Sequence, residues 1–300
     1  MRIVSLLASG TEIVCALGAG DALVGRSHEC DNPAWVRRLP SCTQPAFDIS
    51  MSSADIDAEV RRRTRCGEPL YHIDAELIGT LDPDMVIAQV HCDVCAVTPR
   101  DLERAGGAPR AACVVSLSAG TVAGIYRDIT QVGQAIARGS EATALVTDMQ
   151  RRIDAVTAAV AGGRQPTVVV IEWTDPVFTA ANWMPELIEA AGGTPVAMRR
   201  AAHSTTTPWT EIVAADPDWI IVAPCGFDLD RTARERVVLE RLPGWFDLRA
   251  VRDGRVALAD GNRYFNRSGT TIVETVEIVA DILHGQSRSR AAVWTACLPQ

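Results

Sequence analysis

One pattern occurs twice in the chain and limits what it can fold into. Residues 76–88 and 211–223 each combine a short helical pattern, the tripeptide Asp-Pro-Asp and a buried apolar run. Residues 11–18 and 185–192 form a second pair of similar segments. Because a proline disfavours the helical conformation of the residue before it, each helix is expected to end at Asp-Pro-Asp. Helices followed at once by strands, in two halves, are typical of parallel sheets covered by helices.

Strands and helices alternate along most of the sequence. Short apolar runs predict strands at residues 3–8, 23–27, 85–90, 167–172, 219–223 and 255–259. Apolar residues at helical spacing predict helices at residues 53–65, 74–81, 121–138, 140–160, 185–191, 209–215, 230–242 and 272–284. Ser9 and Glu12 have the spacing of a capping box, which predicts that the first helix begins there.

The predicted fold is α/β, with two doubly wound parallel-sheet lobes bridged by a long helix. Residues 1–120 are expected to form the N-terminal lobe, 121–163 the linking helices, 164–286 the C-terminal lobe and 287–300 a tail. At ~1.5 Å per residue the second linking helix is about 30 Å long. We expect a ligand cleft between the lobes, since ligands bind beyond the carboxyl ends of strands in such sheets.

Composition and charge exclude several classes of protein. The chain has 300 residues, of which 47% are hydrophobic and 22% charged, as in ordinary globular proteins. The net charge is −8 with no long basic run, which argues against nucleic acid as a partner. All 29 basic residues are arginine, so chemistry that needs a lysine amine is excluded.

The N-terminal segment and the apolar runs predict the compartment. No apolar run approaches the ~18 residues that a membrane-spanning helix needs. Only about six apolar positions precede Glu12, whereas the apolar region of a secretory signal has roughly 7–15. We therefore expect a cytoplasmic protein without membrane insertion, for which a transporter partner is doubtful.

Four of the nine cysteines follow predicted strands, and histidines lie close to two of these positions. Because the carboxyl ends of parallel strands meet at one edge of a sheet, these side chains are expected to lie close together. Thiolate and imidazole ligands suit Zn, Fe or Cu. The predicted ligands of a transition-metal site are Cys30, Cys92, Cys95, Cys225, His28 and His91.

Other interpretations of these cysteines are left open. A cysteine at the end of a strand is often only a small, packed apolar side chain. Cys92 and Cys95 are spaced as in a redox dithiol, although no aromatic-rich helix start precedes them. The sequence does not decide whether these two residues form a disulfide.

Aromatic residues and arginines follow the predicted strands of the C-terminal half. Such aromatic side chains can form an apolar wall for a flat ligand, and an arginine there can hold an anionic group. The predicted ligand-binding residues are Trp173, Trp183, Arg263, Tyr264, Asn266 and Arg267. Core packing of the aromatic residues and capping of the closing helix by the loop are the alternative interpretations.

Together these segments resemble the periplasmic-binding-protein superfamily of the helical-backbone type (class III). The resemblance covers about residues 2–285 and is most similar to a leaderless, cobalamin-binding-protein-like subgroup, through segments 2–12, 27–31, 92–95, 224–228 and 260–267. It implies two α/β lobes, a rigid connecting helix and a ligand clamped between the lobes. Corrinoids and metal chelates are the ligands that it implies.

Three functions are left open by the sequence. The first is a cytoplasmic binding protein for a small molecule, a metal ion or a metal-containing cofactor such as a corrinoid or a metal chelate. The second is a metal- or thiolate-dependent enzyme acting on a small molecule, with Glu29 or Glu172 as general base. The third is a thiol-based redox or sensing protein. The oligomeric state is not predicted.

Overall fold

The computed structural model describes residues 1–90, 96–107, 109 and 112–285, and the backbone of residues 294–297. The chain divides into two compact units. Unit 1 comprises Met1–Ala119 and Ala123–Asp148, and unit 2 comprises Gly120–Val122 and Met149–Gln300. The predicted linking segment, residues 121–163, therefore contributes to both units.

Unit 1 contains a parallel sheet and the helices that cover it. Its elements are β1 (Ile3–Ser5), α1 (Ala8–Ala16), β2 (Leu23–Arg26), β3 (Thr43–Pro45), α2 (Ser53–Cys66), β4 (Tyr71–Ile73), α3 (Ala75–Leu81), β5 (Met85–Gln89), α4 (Pro99–Arg104), β6 (Cys113–Leu117), α5 (Val122–Ala135) and the first part of α6 (Gly139–Val160). The main sheet has the order β2-β1-β5-β6, and all of its pairs are parallel. Strands β3 and β4 form a separate antiparallel pair.

The helices of unit 1 begin and end where local chemistry favours it. The Ser52 hydroxyl accepts a hydrogen bond from the backbone N–H of Asp55 at 3.2 Å and caps α2. Gly67, in the left-handed conformation at φ 67°, ends the same helix. One face of the main sheet packs Val4, Leu6, Ile78 and Val86 into a buried core. A side-chain cap and a glycine therefore fix the two ends of α2.

Unit 2 contains a larger, mixed sheet. Its elements are β7 (Thr167–Thr174), β8 (Val177–Thr179), α7 (Met184–Ala190), β9 (Thr194–Pro195), α8 (Trp209–Ala215), β10 (Trp219–Val222), α9 (Leu229–Leu239), α10 (Arg249–Arg252), β11 (Val256–Ala259), α11 (Ile272–His284) and β12 (Trp294–Cys297). The order is β12-β11-β10-β7-β8, with β9 also paired to β7. β8 and β12 are antiparallel to their neighbours, and the other pairs are parallel.

The Asp-Pro-Asp repeat ends a helix in the same way in both units. Asp82 follows α3 and Asp216 follows α8, and both adopt the left-handed conformation, at φ 42° and φ 35°. Aspartate tolerates this conformation better than most residues with a side chain. The repeat is therefore a helix stop that turns the chain directly into a buried strand.

The second aspartate of the repeat binds the start of the neighbouring strand. The carboxylate of Asp84 accepts a hydrogen bond from the backbone N–H of Arg2 at 2.7 Å. In unit 2, Asp218 accepts one from the backbone N–H of Thr167 at 3.0 Å. Arg2 and Thr167 lie at the amino ends of β1 and β7, which each belong to the sheet that the repeat enters. The repeat thus has a structural role in both units.

The predicted α/β fold class, with parallel sheets in two lobes, is confirmed. Helices α8 and α11 coincide with the predicted ranges, and α2 differs by one residue. The capping box at Ser9 and Glu12 is wrong, because α1 begins at Ala8 with Leu7 at its N-cap and Glu12 is buried. None of the helices among the described residues has the length and apolar character that crossing a membrane requires.

Candidate ligand-binding site

The carboxyl edge of the unit 2 sheet brings several of the predicted residues together. The segments after β10 and β11 lie at this edge, where loops of parallel sheets form ligand sites. The backbone N–H of Cys225 donates to the carbonyl of Glu172 at 3.0 Å, and that of Asn262 donates to Phe227 at 2.9 Å. Three separate segments are therefore held against one another.

An aromatic stack with a cation on it dominates this edge. The rings of Trp173 and Phe227 lie 5.1 Å apart at an interplanar angle of 52°. The guanidinium carbon of Arg231 lies 3.8 Å from the centre of the Phe227 ring, a cation–π distance. Phe227 is buried, whereas Trp173 is half-buried and keeps part of its surface exposed. We name Trp173, Phe227 and Arg231 the aromatic stack.

The end of β7 is anchored beneath this stack. Thr174, which follows Trp173, donates its hydroxyl proton to the Glu235 carboxylate of α9 at 2.5 Å. Both side chains are buried. A charged acceptor makes this hydrogen bond stronger than a neutral one, so it fixes the strand end that carries Trp173.

The loop after β11 is a single π-helical turn, Gly261–Phe265. The Asp260 carboxylate accepts a hydrogen bond from the backbone N–H of Arg263 at 2.8 Å. The side-chain amide of Asn266 donates to the carbonyls of Ala223 at 3.0 Å and Gly261 at 2.9 Å. Asn266 therefore joins this loop to the segment after β10.

The four loop residues predicted to bind ligand differ in how much surface they offer. Arg263 is exposed, with its guanidinium carbon 5.2 Å from the centre of the half-buried Tyr264 ring. Arg267 is only 5% exposed and donates to the side chain of Asn262 at 3.2 Å. Trp183, in α7's N-cap position, is also buried. Ligand contact by these residues stays a prediction, and Arg263 and Tyr264 are the accessible ones.

Two members of the stack were missed by sequence reasoning. Phe227 and Arg231 are four residues apart, the spacing at which side chains meet on one face of a helix. Asp228 caps α9 by accepting from the Arg231 N–H at 2.8 Å, so this spacing persists at the helix start. An aromatic residue and an arginine four positions apart, just after a predicted strand, was the sequence signal that could have found them.

In unit 1, the predicted metal ligands that the structure describes are engaged with their own unit. Cys30 is 1% exposed, and its sulfur accepts a hydrogen bond from the Thr11 hydroxyl at 3.0 Å. His28 Nδ1 lies 2.7 Å from the Thr43 hydroxyl, and Nε2 lies 3.3 Å from a Glu29 carboxylate oxygen. The Thr43 hydroxyl also accepts a hydrogen bond from the backbone N–H of His28 at 3.0 Å, so Thr43 holds both the backbone and the ring of this residue.

The predicted metal site stays a prediction. His91, Cys92 and Cys95 lie outside the described residues. In the part of the chain that the structure describes, no three His, Cys, Asp or Glu side chains group as metal ligands would. Cys225 is a half-buried free thiol at the unit 2 edge. Glu29 faces His28 and Glu172 is half-buried, and a role for either as general base is also untested.

A protein-family model and a bacterial relative match most of this chain. The chain belongs to the family described as periplasmic binding protein, whose model matches residues 3–262. A relative in Bacillus subtilis (strain 168), described as an uncharacterised ABC transporter substrate-binding lipoprotein, is 24% identical over 296 residues. The match covers 94% of this chain and 80% of the relative.

Solved structures share the fold over nearly the whole chain. A periplasmic haem-binding protein from Pseudomonas aeruginosa superposes with a TM-score of 0.73 at 19% identity, covering 100% of this chain and 98% of that chain. The periplasmic vitamin B12 binding protein of Vibrio cholerae gives a TM-score of 0.66 at 20% identity, covering 96% and 98%. The family match confirms the resemblance to periplasmic binding proteins, and these structures show the shared fold.

The comparisons correct two predictions made from the sequence. The prediction of a cytoplasmic protein is wrong, because the relative is a lipoprotein and the similar structures are periplasmic proteins. The comparisons also argue against the doubt about a transporter partner, since the relative is described as a substrate-binding lipoprotein of an ABC transporter. Both predictions had been drawn from the apolar content of the N-terminal segment, although the family match begins within that segment, at residue 3.

Proposed function

We propose that this protein is the substrate-binding component of an ABC importer and acts outside the cytoplasm. Its ligand is a flat, metal-containing macrocycle of the haem or corrinoid class. The family match and the lipoprotein relative support the transport role. The haem- and vitamin B12-binding proteins among the similar structures support the ligand class.

The aromatic stack is the observation that carries the ligand class. The half-buried Trp173 ring is backed by Phe227 and Arg231, so it is held in one orientation before any ligand arrives. A preorganised aromatic surface binds a flat ring with little loss of side-chain entropy. Arg263 and Tyr264 extend the same edge with a cation and a second ring. This combination suits a macrocycle that has an apolar face and a polar or charged rim.

A titration of the purified protein with haemin and with cyanocobalamin tests this proposal, since each ligand absorbs visible light. We expect saturable binding of one of the two. Trp173→Ala should weaken it by about 30-fold, because buried aromatic anchors contribute roughly 2 kcal/mol or more. Trp173→Phe keeps an aromatic ring and should weaken it less.

Phe246→Ala is the matched control. Phe246 is also in unit 2 and is 62% exposed, but it precedes α10. The N–H of Arg249 in α10 donates to the Asp216 carboxylate just before β10, which places this segment at the opposite edge of the sheet. Failure of the unmodified protein to bind either macrocycle, or equal losses in Trp173→Ala and Phe246→Ala, contradicts the proposed ligand class.

The transport role has an independent test. Antibodies against the chain should detect it in the membrane or extracytoplasmic fraction of the cells that produce it, and crosslinking should capture an integral membrane permease. Detection in the cytoplasmic fraction alone would contradict the proposed location. That result would leave the macrocycle titration unaffected, so the two parts of the proposal are separable.

A further inference from the structure

An exposed arginine lies beside the aromatic stack of unit 2. Arg263 belongs to the loop after β11, and residues 261–273 include no acidic residue. The Asp260 carboxylate binds the backbone N–H of Arg263 at 2.8 Å. Among the described residues no carboxylate pairs with the Arg263 guanidinium, which lies over the Tyr264 ring instead. This cation–π contact needs no hydrogen bond, so the five N–H donors are available to a ligand.

The backbone on both sides of Arg263 is fixed to the rest of unit 2. The Asn262 N–H donates to the carbonyl of Phe227, a member of the stack, at 2.9 Å. On the other side, the hydroxyl of the fully buried Thr275 in α11 donates to the carbonyl of Tyr264. Arg263 is therefore held between the stack and α11, and little further ordering of its backbone is needed to bind a ligand.

Trp173 lies on the face of the sheet that α11 covers. Ile171 packs into the core that contains residues of α8 and α9, so Val168 faces the other side of the sheet. A Cβ on Gly193 would touch both Val168 and Leu283 of α11, which shows that α11 covers this second side. The register of β7 against β8 shifts by one residue between Ile171 and Trp173, which turns Trp173 to the same side.

Arg263 is close enough to the stack to reach the rim of a stacked ring. Because the Asn262 N–H binds the Phe227 carbonyl and consecutive Cα atoms are about 3.8 Å apart, the Cα atoms of Arg263 and Phe227 lie within roughly 10 Å of each other. The Phe227 ring in turn lies 5.1 Å from that of Trp173. A macrocycle that stacks on Trp173 can therefore bring a side arm to the Arg263 guanidinium.

The chemistry of this guanidinium favours an acidic side arm. A carboxylate accepts two parallel hydrogen bonds from an arginine, and such charge-assisted bonds are roughly twice as strong as neutral ones. An amide offers one neutral carbonyl oxygen and leaves the positive charge uncompensated. Tetrapyrroles of the haem class carry carboxylate arms, whereas the arms of corrinoids are mostly amides.

We propose that Arg263 binds a carboxylate arm of the macrocycle and thereby selects acidic tetrapyrroles of the haem class over corrinoids. The selection rests on the proposed function, because it requires a ring stacked on Trp173. Arg263 then decides between the two ligand classes that this function leaves open.

Titrations with haemin and with haemin dimethyl ester, whose carboxylates are blocked, test this role of Arg263. We expect Arg263→Gln to weaken haemin binding about tenfold, because it removes the charge and the paired N–H donors, and to change ester binding less than about twofold. Arg263→Lys keeps the charge without the planar fork and should restore part of the lost haemin affinity. The unmodified protein should bind haemin more tightly than it binds the ester or cyanocobalamin.

Arg241→Gln is the matched control. Arg241 is exposed and follows α9, which begins at the carboxyl edge of the sheet after β10 and runs to the opposite edge. The carbonyl of the nearby Pro243 accepts from the indole N–H of Trp209 in α8, the helix that precedes β10. This variant removes the same charge at the opposite edge and should change both affinities less than about twofold.

The titrations separate failure of this selection from failure of the proposed function. An unchanged haemin affinity in Arg263→Gln, equal losses of haemin and ester binding, or an equal haemin loss in Arg241→Gln would overturn the role of Arg263. Tighter binding of cyanocobalamin than of haemin would overturn the selection and leave the proposed function in place. Binding of neither macrocycle would overturn the proposed function and the selection with it.

Discussion

The two units share one scaffold but differ at the carboxyl edges of their sheets. In both, Asp-Pro-Asp ends a helix, enters a central strand and binds the start of the neighbouring strand. At the described part of the unit 1 edge, Cys30 and His28 hydrogen-bond to the unit's own threonines. At the unit 2 edge, Trp173 and Arg263 keep exposed surface. The scaffold is therefore repeated, whereas the chemistry that faces a ligand is not.

The largest expected difference between the edges is in the stability lost when a glycine is replaced by alanine, at Gly261 in unit 2 and at Gly10 in unit 1. A Cβ on Gly261 would lie 2.1 Å from the Pro224 carbonyl oxygen, a backbone atom that cannot rotate away. A Cβ on Gly10 would meet the side chain of Ile87 at 2.8 Å, which can shift. We expect Gly261→Ala to lower the free energy of unfolding by about 3 kcal/mol, the upper range for overpacking.

Gly10→Ala is the matched variant for this comparison. It lies within α1, where alanine is favoured over glycine by roughly 0.5–1 kcal/mol, so its net cost should be at most about 1 kcal/mol. Urea unfolding of both variants measures the difference. Equal destabilisation would mean that the loop after β11 moves away from the segment after β10, and that the unit 2 edge is less rigid than its contacts indicate.

The next difference is in the pKa values of two buried aspartates, Asp218 in unit 2 and Asp128 in unit 1. Burial opposes ionisation of Asp218, but hydrogen bonds from Thr167 and the charges of Arg164 and Arg249 lower its pKa overall. Burial raises the pKa of Asp128, and the hydrogen bonds from the backbone N–H groups of Ser118 and Ala119 only partly offset this. The charge of Arg127 also lowers the pKa of Asp128, so the balance between burial and the sum of hydrogen bonds and charges decides the direction of each shift.

These opposite shifts predict opposite dependences of stability on pH. A lowered pKa in the folded state means that the Asp218 carboxylate stabilises the protein above its unfolded pKa of about 3.9, and this is lost as the pH falls through the folded value. A raised pKa means that Asp128 stabilises most below about 3.9, and this is lost as the pH rises through its folded value.

The corresponding asparagine variants measure this contrast. At neutral pH we expect Asp218→Asn to lose about 1–3 kcal/mol, because it removes the carboxylate that pairs with Arg164 and with Arg249, of which, among the described residues, only Arg249 keeps a second carboxylate, Asp216. Asp128→Asn keeps an acceptor oxygen without the buried charge, so its stability should equal or exceed that of the unmodified protein. Urea unfolding at neutral and at acidic pH measures the free energy of unfolding of each variant. A large loss in Asp128→Asn at neutral pH would show that its charge is stabilising after all.

Sequence patterns predicted the elements whose signals are local. Helix α8 has a proline before it, helical spacing within it and Asp216 after it, and its bounds were predicted without error. Strand β8 was missed, because its three residues give no periodicity and its pairing with β7 follows from tertiary structure. Strands β3 and β4 were missed for a related reason, since they pair across the whole of α2.

The candidate site was predicted less completely than the fold. Strand ends identified the edge that carries Trp173 and Tyr264, since that inference needs only strand positions. It could not tell that Arg267 is buried or that the Cys30 thiol is hydrogen-bonded inside unit 1. Burial and hydrogen bonding at a loop depend on neighbours that are remote in sequence, so a residue type and a position do not determine them.

The smallest expected effects are on the alkylation rates of the cysteines at the two edges. Brief alkylation of the folded protein, followed by peptide mass spectrometry, compares Cys30 with Cys225. We expect the half-buried Cys225 to react at least about tenfold faster, because Cys30 is 1% exposed and must await local opening. The exposed Cys66 and Cys113 should react first. Burial, the larger cause, raises the pKa of Cys15 and of Cys42 to about 11 and slows both.

The same measurement bears on the predicted metal site. If Cys30 and Cys225 were ligands of one ion, added Zn²⁺ should protect both thiols together, because a bound thiolate is no longer a free nucleophile. If each belongs to its own edge, Zn²⁺ should leave the ratio of their rates unchanged. Rapid labelling of Cys30 would show instead that its hydrogen bond with Thr11 opens easily, and the contrast between a closed unit 1 edge and an open unit 2 edge would fail at that residue.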